Sequence, residues 1–256
     1  MRRGEDWRRS HHNRATIVRD RPLHDTVTAF VQGARYLYNR DHSHPPIHLW
    51  GHDHEGAYRQ LPTAEPELSY MLLITEEGIT VWQHVVLVFG ATSSVWGYNR
   101  FGDALVGIGR LTLATLCFRY VDDYGGVEES RTAESAFVSF KDLNAKLGAQ
   151  MKPSKAQPPS AQHVIQGVLV SIEDGHAVVC ATTDRKAKLT SQVTYILAED
   201  CLTPQRAGVL AGKFGFVASA CLASSPAQCC ARSTCGNRPL ACTGTSRPST
   251  RPYGRL

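Results

Sequence analysis

The sequence predicts an α+β fold in which a twisted antiparallel sheet is backed by helices. Two kinds of signal carry this. Apolar or β-branched runs come in pairs across short turns: residues 69–75 and 79–88 around Glu76-Glu77-Gly78, 117–121 and 124–127 around Asp122-Asp123, and 163–172 and 176–181 around Asp174-Gly175. Between them, apolar residues recur at helical spacing, as in Ala133, Phe137, Phe140, Leu143 and Leu147. Hydrophobic residues make up 42% and charged residues 20% of the 256, an ordinary globular composition that can build a core.

Taken in order, the elements have local reasons. Val27, Phe30, Val31, Ala34, Leu37 and Tyr38 put one apolar face on a helix over residues 26–38. Residues 47–53 are short and partly apolar, and read as a strand ending on Asp53. After Phe89-Gly90, Ser93 or Ser94 can cap a long helix carrying Trp96, Tyr98, Leu105, Ile108 and Leu111. Thr132 starts the next helix and Gly148 closes it. Residues 152–160 form a Pro/Ser loop, and Asp184 can cap a helix through Leu197. Thr203-Pro204 pairs a capping hydroxyl with proline in the first helical position, which opens a helix to about Leu222. From Ala223 onward the chain turns to Ser, Thr, Pro, Arg and Cys, a composition expected to be disordered and read as a degenerate end or a shifted reading frame.

The net charge of +5 is unevenly spread: +5 over residues 1–40, −7 over 41–200 and +7 over 201–256. An acidic body with two basic ends excludes a uniformly basic, histone-like coat. No apolar run reaches the roughly 18–20 residues of a membrane span, and the opening residues lack an apolar signal segment. The three body cysteines, Cys117, Cys180 and Cys201, are far apart and argue against a disulfide framework, so an intracellular setting is expected.

Three short segments could do chemistry. Asp122-Asp123 at a hairpin tip places two repelling carboxylates together, which a fold usually answers with a cation, although such a pair also fits a solvated turn. Asp53 closes a strand, and Tyr58 follows it by five residues. Phe89-Gly90 with Ser93-Ser94 is a small-residue turn entering a helix. A rival reading rests on His42, His44, His48, His52 and His54 around Asp53, ligand types that suit a zinc-binding module or metallohydrolase, but the wider ligand set is missing.

In this order and spacing, the segments resemble the reverse transcriptases of retroelements. Asp53 to Tyr58 matches motif A, Asp-x-x-x-Ala-Tyr. Phe89-Gly90, Ser94 and Tyr98-Asn99-Arg100 match motif B, and Tyr120 to Asp123 is the Tyr-x-Asp-Asp box of motif C. Leu147-Gly148 with Lys155 looks like motif D. Gln166-Gly167-Val168 looks like the Leu-Gly-Val of motif E, with Gln where Leu is usual. Residues 3–16 are similar to part of the fingers, and the resemblance covers roughly residues 1–222. DHEGAYRQLP and LTPQRAGVLAGKFGF are closest to tyrosine-recombinase (DIRS-like) retrotransposons.

The resemblance implies partial fingers over 1–46, a polymerase palm over 47–183, the start of a helical thumb over 184–222 and the low-complexity tail over 223–256. It implies RNA-directed DNA polymerisation on an RNA or DNA template-primer with dNTPs. Asp53, Asp122 and Asp123 would hold two Mg²⁺ ions, with Mn²⁺ as a substitute. Tyr58, Phe89, Gly90, Ser94, Tyr120 and Lys155 would line the nucleotide, and Arg3, Arg9, Arg14 and Arg100 would meet nucleic acid. The chain would begin inside the fingers, which leaves a second reading: a catalytically inactive relic that still binds nucleic acid.

Overall fold

The computed structural model describes residues 7, 9, 11–17, 23–40, 42–173 and 176–223. The chain divides into two units, Met1–Pro226 and Ala227–Leu256. Arg3, the Asp174-Gly175 turn and the tail beyond Ala223 lie outside the described residues.

The element order is α1 (His12–Ala15), α2 (Val27–Asn39), β1 (Ile47–Asp53), β2 (Tyr70–Thr75), β3 (Gly78–Gln83), α3 (Thr92–Leu113), β4 (Leu116–Tyr120), β5 (Asp123–Glu129), α4 (Ser130–Lys146), β6 (Gln157–Ser160), β7 (Gln162–Ile165), β8 (Val168–Glu173), β9 (His176–Ala181), α5 (Thr183–Glu199) and α6 (Pro204–Ala223). The main sheet has the antiparallel order β4-β5-β1-β6, so the strand that ends on Asp53 lies inside it. β2-β3 and β7-β8-β9 form two smaller antiparallel sheets.

Both faces of β1 are covered, which suits a strand that mixes Leu, Trp and His without a clean polar side. Leu49 and Val127 face α2, whose Phe30, Val31, Ala34 and Leu37 are buried together with Val168, Val170 and Ile172 of β8. Trp50 and Tyr124 face α3 and α4, where Leu105, Val106 and Phe140 close the second core. Trp50 pairs across to Gly126, where an added Cβ would come within 2.2 Å of the indole ring. Glycine there lets the sheet accept a tryptophan.

Several boundaries differ from the sequence expectation, each for a physical reason. The second strand of the first hairpin ends at Gln83 instead of continuing to Val88, because Val85, Val86 and Leu87 bond back to Leu61, Pro62 and Thr63. The run over 163–172 is two strands, since Gln166 and Gly167 both take positive φ (49° and 76°) and turn the chain. The expected Pro/Ser loop contains β6, in which Pro158 and Pro159 are tolerated at the sheet edge. Thr182 rather than Asp184 caps α5, its hydroxyl accepting from the Arg185 N–H at 3.3 Å. Thr203 does the same for Arg206 at the start of α6, as its sequence signal suggests.

Candidate active site

β1 and β5 pair in a register that sets Asp53 directly opposite Asp123. Tyr120 pairs with Asp123 in turn, so the hairpin loop is Val121-Asp122, one residue earlier than expected. Asp123 therefore belongs to the strand and shares a face with Asp53, whereas Asp122 sits in the turn. Val121 has φ 54°, a left-handed conformation that is costly for a β-branched side chain. Such strain persists only where neighbours impose it. Here the neighbour is Arg119, a buried arginine whose guanidinium donates to Asn99 Oδ1 and Asp103 Oδ1 of α3 and reaches the Val121 carbonyl at 3.5 Å. Gly102 makes room for it: a Cβ there would lie 2.4 Å from Arg119 Cδ.

The carboxylates are electrostatically loaded. Asp53 is buried, and Lys155 Nζ donates to its Oδ2 at 2.5 Å. The Asp123 carboxyl is pushed up to about 6, first by desolvation, then by its hydrogen bond with Asp53 and the charges of Asp122 and Asp53. The folded chain thus holds this proton more tightly than the unfolded chain. Its contribution to stability is complete below about pH 4 and is lost as the pH rises through about 6. In metal-free buffer, Asp123→Asn is expected to gain on the parent by on the order of 1 kcal/mol over that window, the full shift being discounted because Asp123 is exposed. Urea unfolding of both proteins at about pH 4 and pH 7 measures the gain, and identical pH profiles would refute it.

Hard oxygen donors that crowd negative charge and already draw an ammonium group suit a divalent ion such as Mg²⁺, which takes few protein carboxylates and keeps waters. Among the described residues, no group of three or more His, Cys, Asp or Glu side chains is gathered to hold a metal. The contact that exists is between Asp53 and Asp123.

The other motif residues assemble beside this end of the sheet. Tyr58 is half-buried, its ring 4.9 Å from Phe89 and 5.3 Å from Tyr98. Its hydroxyl pKa is raised by burial and by the charge of Asp122. Gly90, at φ 95°, turns the chain into α3. Asn13 clasps that turn, donating to Gly90 O at 2.8 Å and accepting from the Thr92 N–H at 2.8 Å. Asn13→Ala is expected to cost about 1–2 kcal/mol and to raise hydrogen exchange at the Thr92 amide above that of the α3 interior. Unchanged exchange would contradict this clasp.

Ser94 is buried, and its hydroxyl accepts from the Val88 N–H at 3.1 Å, so it fastens the turn from inside. Tyr120 is exposed against the His24 ring. Arg9, Arg14 and Arg100 are exposed, the first two in the segment that carries Asn13. A cleft of about 560 Å³ runs from Asp53, Asp123 and Lys155 to Gln166-Gly167 and Arg185.

Two of the histidines that suggested zinc, His52 and His54, are spent elsewhere. His54 shares hydrogen bonds with Tyr98 Oη at 2.6 Å and Asn144 Oδ1 at 3.0 Å, so both ring nitrogens are occupied. His52 stacks on Phe137, with ring centroids 4.2 Å apart, and bonds to its carbonyl. Burial lowers the pKa of both. Sequence reasoning missed this network and the Arg119–Asn99–Asp103 cluster. The signals available were a lone arginine in the apolar run Cys117–Tyr120 and two polar residues one helical turn apart on α3.

No protein-family model matches the sequence, and no curated protein matches it. Among solved structures, a foamy viral protease–reverse transcriptase in complex with double-stranded DNA is similar, with a TM-score of 0.55 and 15% identity over 82% of this chain and 32% of that one. The chain spans about a third of that protein's length. The likeness is one of fold: this is an α+β, reverse-transcriptase-like polymerase fold.

Proposed function

We propose that this chain is an RNA-directed DNA polymerase of a retrotransposon, of the DIRS-like lineage, that adds dNTPs to a primer 3′-hydroxyl. The observation that carries the reading is the pairing of Asp53 with Asp123 beside the strained Val121-Asp122 turn, with Tyr58 and Phe89 stacked alongside. Residues 70 apart in sequence meet at one end of the sheet in the order that the three motifs require.

Asp53, Asp122 and Asp123 would hold two Mg²⁺ ions, or Mn²⁺ in their place, which when bound lower the pKa of the primer hydroxyl and offset charge on the triphosphate and leaving pyrophosphate. Tyr58, propped edge-on by Phe89 and Tyr98, offers a fixed aromatic surface to the sugar and excludes a 2′-hydroxyl. Lys155 balances the charge of Asp53 and would give a proton to the departing pyrophosphate. Exposed Arg9, Arg14 and Arg100 supply phosphate contacts that position without reading sequence. The foamy viral structure, bound to double-stranded DNA, supports a duplex as the partner.

Primer extension on matched RNA and DNA templates tests the reading. Extension on the RNA template is the expected result; extension on DNA alone would replace the reading with a DNA-directed polymerase.

A further inference from the structure

We infer that Arg185 forms an anion site on the wall of the active-site cleft, built to hold a phosphate group of bound nucleic acid; this rests on the polymerase reading. Arg185 lies in the first turn of α5, and its guanidinium carbon sits 4.7 Å from the centroid of the Phe216 ring of α6. Its other neighbour is Gly167 in the β7–β8 turn, where an added Cβ would lie 2.4 Å from Arg185 Nη2. Two helices and a hairpin thus clamp one planar group. A guanidinium offers five N–H donors in a rigid fork that matches a phosphate, and holding that fork still in advance reduces what is lost on binding.

Its charge is unspent. Arg40, Arg110, Arg119, Arg131 and Arg206 each meet a carboxylate, and Lys155 is paired with Asp53. Among the described residues the Arg185 guanidinium meets none, although Asp184 is next to it in sequence, because Asp184 pairs with Lys188 at 2.7 Å. The side chain nevertheless lines the same cleft as Asp53 and Asp123. Those carboxylates repel a polyanion, so a strand laid along the cleft needs a fixed cation on this wall. The phosphate could belong to a phosphodiester of the bound strand or to the triphosphate of a nucleotide.

Fluorescence anisotropy of a labelled RNA–DNA primer duplex across a salt series, with calorimetric titration of tripolyphosphate, separates these sources. The full chain is compared with Arg185→Ala, Arg185→Lys and Phe216→Leu, all checked by thermal melting. Arg185→Ala is expected to bind the duplex about tenfold more weakly at low salt and to reduce the slope of log K against log salt by about one. Arg185→Lys should keep the slope and lose affinity. Phe216→Leu should lose affinity without any change of charge. Weaker tripolyphosphate binding with unchanged duplex binding would assign the site to the nucleotide, the same chemistry from the other source. Unchanged binding of both by Arg185→Ala, or failure of the parent to bind either, overturns the inference. Failure of the polymerase reading shows separately, as a parent that binds duplex but incorporates no dNTP.

Discussion

Asp53→Asn and Asp122→Asn are each expected to reduce dNTP addition by about a thousandfold or more. The amide keeps the shape of the carboxylate and removes its charge, so under the proposed function the loss would fall on metal holding and on the charge that develops during phosphoryl transfer. Structural damage should be small. In Asp53→Asn the lost partner is the half-exposed Lys155, and such a pair is worth about 1 kcal/mol at most. Single-turnover rates beside thermal melts separate the two effects. Either variant extending primers at the parent's rate would remove that residue from the site.

Phe140→Ala is expected to cost about 3–5 kcal/mol, the range for a fully buried aromatic. Phe140 has no exposed surface, and its ring lies 5.3 Å from Trp50 and 5.8 Å from Tyr124. These two residues belong to β1 and β5, the strands that end and begin at the paired aspartates. Asn144, one turn further along α4, also donates to the Phe140 carbonyl and accepts from His54. The loss should therefore reach the site through the sheet. A cost of this size is a large part of the usual 5–15 kcal/mol of stability and should lower Tm by roughly 6–20 °C. A shift of only 1–2 °C would mean that the second core is not the support of the sheet.

The α+β class and the positions of Asp53 and the Asp122-Asp123 hairpin were legible because their signals are local: alternating strands, short turns and helical spacing. What stayed hidden depends on distant partners. Asp123 joins the strand because β4 is held in register, the Asp25 carboxylate accepting from the Arg119 N–H and the Arg119 carbonyl accepting from the Asp25 N–H. No pattern within residues 117–127 reports that contact. His52 and His54 looked like metal ligands because their actual partners, Phe137 and Asn144, lie 85 and 90 residues away. Gln166 at positive φ defeats a turn expectation built on Gly and Asn, and so the two strands 162–165 and 168–173 read as one. The motif position of Ser94 is clear in the sequence, while its burial and its bond with the Val88 N–H depend on how the preceding loop folds.

The most direct test is single-turnover addition of one dNTP to a primer annealed on RNA, with Mg²⁺ added last to a preformed complex. The expected result is a product one nucleotide longer that forms with the parent only after Mg²⁺ is added and does not form with Asp122→Asn. A parent that binds the duplex in a salt-sensitive manner yet yields no product with Mg²⁺ or Mn²⁺ would contradict it and leave an inactive nucleic-acid-binding relic.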